Sequence, residues 1–99
     1  MTLTTEKNGT ELTVRLAGEL NAKTVPELTA LLSKEIGSVK NLTLDFAECD
    51  YVSSAGLRVL LAAYKQMKAA KGEMHLKNVG ENFMDVLMNS GLFAVFDLQ

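Results

Sequence analysis

A chain of 99 residues is long enough for one hydrophobic core and too short for two ordinary domains, so a single domain over residues 1–99 is expected. With 47% hydrophobic and 22% charged residues, the composition is that of a globular protein and excludes an intrinsically disordered one. Ten Lys and Arg against twelve Asp and Glu, a net charge of -2, supply no electrostatic footprint for a nucleic-acid backbone, and the one cysteine, Cys49, excludes an intramolecular disulfide and a cysteine-based zinc site.

The stretch Met1 to Thr10 has no basic region followed by an apolar run, and no apolar run approaches the roughly 18 residues that cross a bilayer. A cytoplasmic protein without direct membrane insertion is expected. Asn8-Gly9 favours the left-handed conformations of a tight turn and predicts an opening hairpin between Leu3 to Lys7 and Glu11 to Ala17. In the second arm Leu12, Val14 and Leu16 alternate with Thr13 and Arg15, the pattern of a strand buried on one face. Leu42, Leu44 and Phe46 repeat it.

Thr24 and Glu27 have capping-box spacing, with Pro26 in the first turn, and Val25, Leu28, Leu31, Leu32 and Ile36 recur at helical spacing up to Gly37. A second helix is predicted from about Ala55, carrying Leu57, Leu60, Leu61, Tyr64 and Met67 on one stripe, with Arg58, Lys65 and Lys68 outside it and Gly72 closing it. Met74 and Leu76 mark a short strand. Phe83, Val86 and Leu87 mark a short helix closed by Gly91, and Phe93 to Leu98 a last strand. This order requires crossovers onto a mixed, mostly parallel α/β sheet of four to five strands. Because the strands alternate instead of running apolar throughout, the helices should lie mainly on one face, which disfavours a doubly wound fold.

The pair Ser53-Ser54, followed by Ala55-Gly56-Leu57-Arg58, falls where the third strand enters the second helix. A helix start exposes unpaired N–H groups and the positive end of the macrodipole, so it accepts either a capping hydroxyl or a phosphate, and spacing alone leaves both readings open. Gly56 in a first turn weakens the helix by about 1 kcal/mol relative to alanine, which points to a close approach to the backbone. Other constellations are weaker. Asp45, Glu48 and Asp50 read as a solvated acidic loop, because no acidic pair ends the first strand to complete a phosphoacceptor site. His75, the only histidine, lies on the polar phase of a short strand; Val52 replaces the first glycine of a nucleophile elbow, and a phosphate-binding Gly-rich loop is absent. Lys65, Lys68 and Lys71 read as a solvated helix face, and Met67, Met74, Met84 and Met88 as core or partner-surface filling.

The segment Tyr51-Val52-Ser53-Ser54-Ala55-Gly56-Leu57-Arg58-Val59-Leu60 resembles the signature of STAS domains, the sulphate-transporter and anti-sigma-factor-antagonist family. Gly18-Glu19-Leu20-Asn21 and Ser90-Gly91-Leu92-Phe93 resemble two further family segments, so the likeness spans nearly the whole chain. Aligned on Gly56 and Leu57, the family's phosphorylatable serine falls on Ser54. Ser53 and Asn21 stand where the family usually has Asp, and both replacements remove an acidic neighbour. The resemblance implies a STAS-like fold and a partner-switching antagonist that is not an enzyme and carries no cofactor or metal. It would bind an anti-sigma factor that is also a serine kinase, using Asn21, Ser53, Ala55, Gly56 and Arg58. Phosphorylation of Ser54 would switch it off and a metal-dependent serine phosphatase would restore it. The alternative is a STAS accessory subunit of a membrane transporter, using the same helix start as a constitutive docking surface.

Overall fold

The computed structural model covers residues 1–99. Its elements run β1 (Thr2–Asn8), β2 (Glu11–Leu20), α1 (Val25–Glu35), β3 (Asn41–Val52), α2 (Ser54–Ala69), β4 (Glu73–Lys77), α3 (Glu81–Ser90) and β5 (Asp97–Leu98), with 3-10 turns at Ile36–Ser38 and Leu92–Ala94. The strands lie side by side in chain order; β1 pairs antiparallel with β2, and every later pair is parallel. A parallel step cannot be closed by a tight turn, so a helix separates each strand from the next beyond β2. Gly9 at φ 64 makes the one hairpin, with Asn8 and Glu11 its last paired residues.

The alternation predicted from the sequence sets the layers. Leu12 and Val14 of β2 stand beside Leu42 and Leu44 of β3, which stand in turn beside Met74 and Leu76 of β4. These six residues are buried, and they share one cluster with Leu28 and Leu32 of α1, Leu60, Ala63 and Met67 of α2, and Phe83 and Leu87 of α3. The Phe46 and Phe83 rings meet at 4.8 Å, tilted by 56°. The opposite phase, Thr13, Arg15, Thr43 and His75, carries no apolar cluster. The helices therefore cover one face and leave a polar one.

Several boundaries differ from those expected. Thr24 is already helical at φ -100, ψ -18, and its side chain caps nothing in α1. Its hydroxyl instead donates to Glu19 O at 2.7 Å and accepts from Asn21 N at 2.9 Å. Asn21 O takes the Thr24 and Val25 N–H groups at 3.0 and 2.8 Å, so the turn begins at Asn21 and the capping box is not formed. Gly37 lies inside the 3-10 turn that follows α1, and α2 ends at Ala69, with Lys71 rather than Gly72 in the left-handed conformation at φ 60. On α2, Gly56 and Ala63 are buried, whereas Leu57, Leu61 and Tyr64 are half-buried.

The last strand is shorter than Phe93 to Leu98. Val95 and Phe96 bond back through their N–H groups to Leu92 O at 2.9 and 3.2 Å, a helical return that leaves Phe96 buried and Phe93 and Val95 exposed. Asp97 and Leu98 pair with β4 opposite His75 and Leu76, and the Gln99 N–H continues the contact to Leu76 O at 2.8 Å.

Candidate functional site at the start of α2

The site begins as a register problem. Opposite β2, the β3 chain runs from Arg15↔Asp45 to Ala17↔Glu48 to Glu19↔Tyr51, gaining one residue at each of two irregularities. The burial phase shifts with it: Cys49 is buried where the two-residue period of Leu42, Leu44 and Phe46 would bury Glu48 and Asp50, and the second irregularity returns the buried face to Val52. Because β4 pairs only with Asn41 to Asp45, the carboxyl half of β3 projects past it. That projecting end delivers Ser53 beside Leu20, whose carbonyl accepts the Ser53 N–H at 2.9 Å.

Ser53 is the cap of α2. Its backbone is extended at φ -81, ψ 176, its hydroxyl oxygen accepts the Gly56 N–H at 3.3 Å, and its carbonyl accepts the Leu57 N–H at 2.9 Å. Ser54 is then the first helical residue and is exposed. The N–H groups of Ser54 and Ala55 precede any intrahelical acceptor, and the first turn contains no acidic side chain. The two sequence readings thus separate: the capping role falls to Ser53, which leaves the Ser54 hydroxyl outside the cap.

Gly56 lets this start sit close to the sheet. A Cβ there would stand 2.8 Å from Val52 Cγ1 and 3.0 Å from Leu20 Cγ, so the helix backbone lies directly on the two strand-end side chains. Ala55 is half-buried beside it. Arg58, four residues after Ser54, is exposed on the same side of the helix and engages in no ion pair with Asp or Glu. Asn21 joins the site through β2, because Leu20 pairs with Val52; its side-chain oxygen accepts the Lys23 N–H at 3.0 Å. Asn21, Ser53, Ser54, Ala55, Gly56 and Arg58 therefore all lie at the carboxyl ends of β2 and β3.

Sequence reasoning missed the role of Asp50. Its carboxylate accepts from Asn82 Nδ2 at 2.9 Å and from the Phe83 N–H at 3.2 Å, capping α3 from a different strand. The residue at the α3 cap position, Gly80, has no side chain to do so, and a Cβ there would lie 2.8 Å from Asp50 Cγ. Glycine at that point, three residues before Phe83, was the available signal. Nor do Asp45, Glu48 and Asp50 form a solvated loop: all three lie on β3. Asp45 is buried on the polar face and accepts from Asn78 Nδ2 at 2.9 Å and from the Ala47 N–H at 3.0 Å. Burial pushes its carboxyl pKa up, but those two bonds together with the Lys77 and Arg15 charges outweigh it and hold the value below the usual carboxylate range.

His75 is held elsewhere, its Nδ1 against Asp97 Oδ2. It stands level with Thr43, which lies beside Thr13, seven β2 residues before the Leu20–Val52 pair; at about 3.3 Å per residue that is roughly 23 Å from the start of α2. No Ser-His pair forms. Of the methionines, Met67 and Met74 are in the core, Met84 is half-buried and Met88 is 54% exposed.

Residues 2–99 match the STAS domain family. Among curated proteins the chain is similar to BtrV of Bordetella bronchiseptica, assigned to the anti-sigma factor antagonists, with 33% identity over 97 residues that cover 97% of this chain and 84% of that one. It is 25% identical over 93 residues to the anti-sigma-B factor antagonist of Bacillus subtilis, covering 94% and 85% of the two chains. Its fold is that of the anti-sigma factor antagonist SpoIIAA: the unphosphorylated form superposes with a TM-score of 0.80 at 21% identity over 99% of this chain and 87% of that one. The phosphorylated form of the Bacillus protein gives 0.79 at 24% identity, over 99% and 91%. With a family match from Thr2 to the last residue and antagonist relatives aligned over nearly the same span, the chain belongs to the STAS domain family.

Proposed function

We propose that the chain is an anti-sigma factor antagonist of the bacterial cytoplasm, working by partner switching at Ser54. STAS antagonists are regulatory binding proteins and not enzymes, and the chain shares both their family and their fold. Unphosphorylated, it binds an anti-sigma factor that is also a serine kinase and so frees a sigma factor. The kinase transfers the γ-phosphoryl group of ATP to Ser54 Oγ, releasing ADP, and a metal-dependent phosphatase hydrolyses the phosphoserine back to serine and phosphate. Asn21, Ser53, Ala55, Gly56 and Arg58 form the surface on which the partner sits.

The observation that carries this reading is the division of labour between the two serines: Ser53 spends its hydroxyl oxygen on Gly56 N–H, while Ser54 stands exposed one residue into the helix. A phosphate on Ser54 carries about -1.5 to -2 charge at pH 7, and burying it in an interface or beside carboxylates is costly. Like-charge contact across an interface costs several kcal/mol, and each 1.4 kcal/mol changes affinity about tenfold. The same phosphate leaves the fold intact, because a helix start favours an anion by about 0.3 to 1 kcal/mol. Arg58, one helical turn on and without an acidic partner, supplies the cation that pairs with the phosphate or with an acidic group on the kinase. A relative of the same fold solved in both unphosphorylated and phosphorylated forms supports the reading.

Incubation with the cognate kinase and ATP should add one phosphate, located by mass spectrometry at Ser54 and not at Ser53. Ser54→Ala should bind the kinase and resist modification, and Ser54→Asp should bind more weakly. Phosphate confined to Ser53 would refute the assignment. A folded Ser54→Asp that binds its partner as tightly as wild type would favour a constitutive docking subunit instead.

A further inference from the structure

Four large apolar side chains are exposed: Tyr51 at 52%, Met88 at 54%, Phe93 at 44% and Val95 at 37%. The last three belong to the carboxyl end of α3 and the turn beyond it, away from the start of α2. Tyr51 alone belongs to the projecting end of β3, three residues before Ser54, within about 11 Å of chain. Its ring takes no part in either aromatic pair of the protein, Phe46 with Phe83 or Tyr64 with Phe96. Folding does not account for it.

The backbone beneath this ring is unusually well held. Tyr51 pairs with Glu19 in the β2–β3 ladder, and its carbonyl accepts from Cys49 Sγ at 3.6 Å. On one side Asp50 is fixed by Asn82 and Phe83 of α3; on the other Val52 is buried under Gly56 and Ser53 N–H is bonded to Leu20. An exposed aromatic with only two side-chain torsions, on a platform tied to two strands and two helices, loses little entropy when a partner closes over it. Glu19 stands beside it in the ladder and accepts from the Asn21 amide at 3.5 Å, so polar groups border an apolar ring with a polar tip on the β2 side.

We infer that Tyr51 is the anchor by which the anti-sigma factor holds this protein, inserting its ring into an apolar pocket of that partner while the partner's surface continues over Ser54. This inference rests on the partner-switching reading and specifies where in that interface the affinity resides. It also explains how one phosphate acts: a group added within a few residues of the anchor must be desolvated together with it. Tyrosine is among the residue types in which interface binding energy concentrates, and truncating such an anchor weakens binding by about thirtyfold or more.

The test is calorimetric titration of the unphosphorylated protein with its cognate anti-sigma factor, for wild type, Tyr51→Ala, Tyr51→Phe and Phe93→Ala, each first shown to keep the wild-type urea midpoint. Tyr51→Ala should bind about thirtyfold or more weakly, Tyr51→Phe should recover most of that loss, and Phe93→Ala should stay within about twofold of wild type. Tyr51→Ala binding within twofold of wild type overturns the inference and leaves the Ser54 switch standing. A large loss in Phe93→Ala with none in Tyr51→Ala moves the anchor to the other end of α3 and also overturns it. If wild type itself binds no anti-sigma factor, the underlying reading fails and the Tyr51 assignment with it.

Discussion

Replacing Gly56 by alanine sets two effects of opposite sign against each other. In a helix interior alanine is favoured over glycine by about 1 kcal/mol, so propensity alone predicts stabilisation. The structure predicts the reverse. The new methyl group would lie 2.8 Å from Val52 Cγ1 and 3.0 and 3.1 Å from Leu20 Cγ and Cδ2, where carbon atoms normally sit about 3.5 to 4.0 Å apart. Val52 is β-branched and 3% exposed, and Leu20 is fully buried, so neither can swing aside cheaply. The helix cannot lift away either, since Ser53 N–H is bonded to Leu20 O and Leu57 N–H to Ser53 O, both at 2.9 Å. Forcing a methyl group into such packing costs about 1 to 3 kcal/mol, which outweighs the propensity gain for most of that range. The middle of that range less the propensity gain leaves a net destabilisation of about 1 kcal/mol, read as a lower urea midpoint at unchanged slope and a melting temperature lower by roughly 4 to 8 °C. Val52→Ala removes the opposing methyl groups, so the double variant should be more stable than the sum of the two single losses by about 1 kcal/mol. A Gly56→Ala variant as stable as wild type, or strict additivity with Val52→Ala, would refute the close-approach account.

Asp50→Ala should cost about 0.5 to 2 kcal/mol and speed amide exchange at Phe83 by removing the cap of α3. Gly80→Asp should destabilise wild type, where its Cβ meets the Asp50 carboxylate, yet rescue Asp50→Ala by restoring a local cap; loss of stability in both backgrounds would contradict this account. Asp45 has a depressed carboxyl pKa in the folded state, so its contribution is fully present above the usual carboxylate value of about 3.9 and is lost as pH falls through the folded value. Asn78→Gly keeps the left-handed backbone at φ 58 and removes the amide donor; it should lower stability at pH 7 by about 1 to 2 kcal/mol, with the gap to wild type closing in acid, and a pH-independent gap would exclude the Asp45 bond as its cause. Burial pushes the Cys49 thiol up, so at pH 8 the folded protein should resist thiol reagents and react only as urea opens it; rapid stoichiometric labelling of the native protein would show that the end of β3 is not packed as described.

Local chemistry written into neighbouring residues was legible in the sequence. The two-residue alternation of Leu12, Val14 and Leu16 and of Leu42, Leu44 and Phe46 determined which face of the sheet is buried, and it disfavoured helices on both faces. Helical spacing located α1, α2 and α3, and the Ser-Ser-Ala-Gly-Leu-Arg segment located the site, because a hydroxyl, a glycine and a helix start carry their meaning over a few residues. Three features depended on contacts distant in sequence. The shift of β3 against β2, which brings Cys49 to the core in place of Glu48 and Asp50, is a relation between two strands. Which serine caps and which stands free depended on where Leu20 holds Ser53. The cap of α3 came from Asp50, more than thirty residues away, whereas the Thr24 capping box failed locally, because Glu19 and Asn21, within five residues, had already claimed the threonine hydroxyl. A hydrogen-bonding group has few partners to give, and among competing partners the tertiary structure chooses the one that packing brings within about 3 Å.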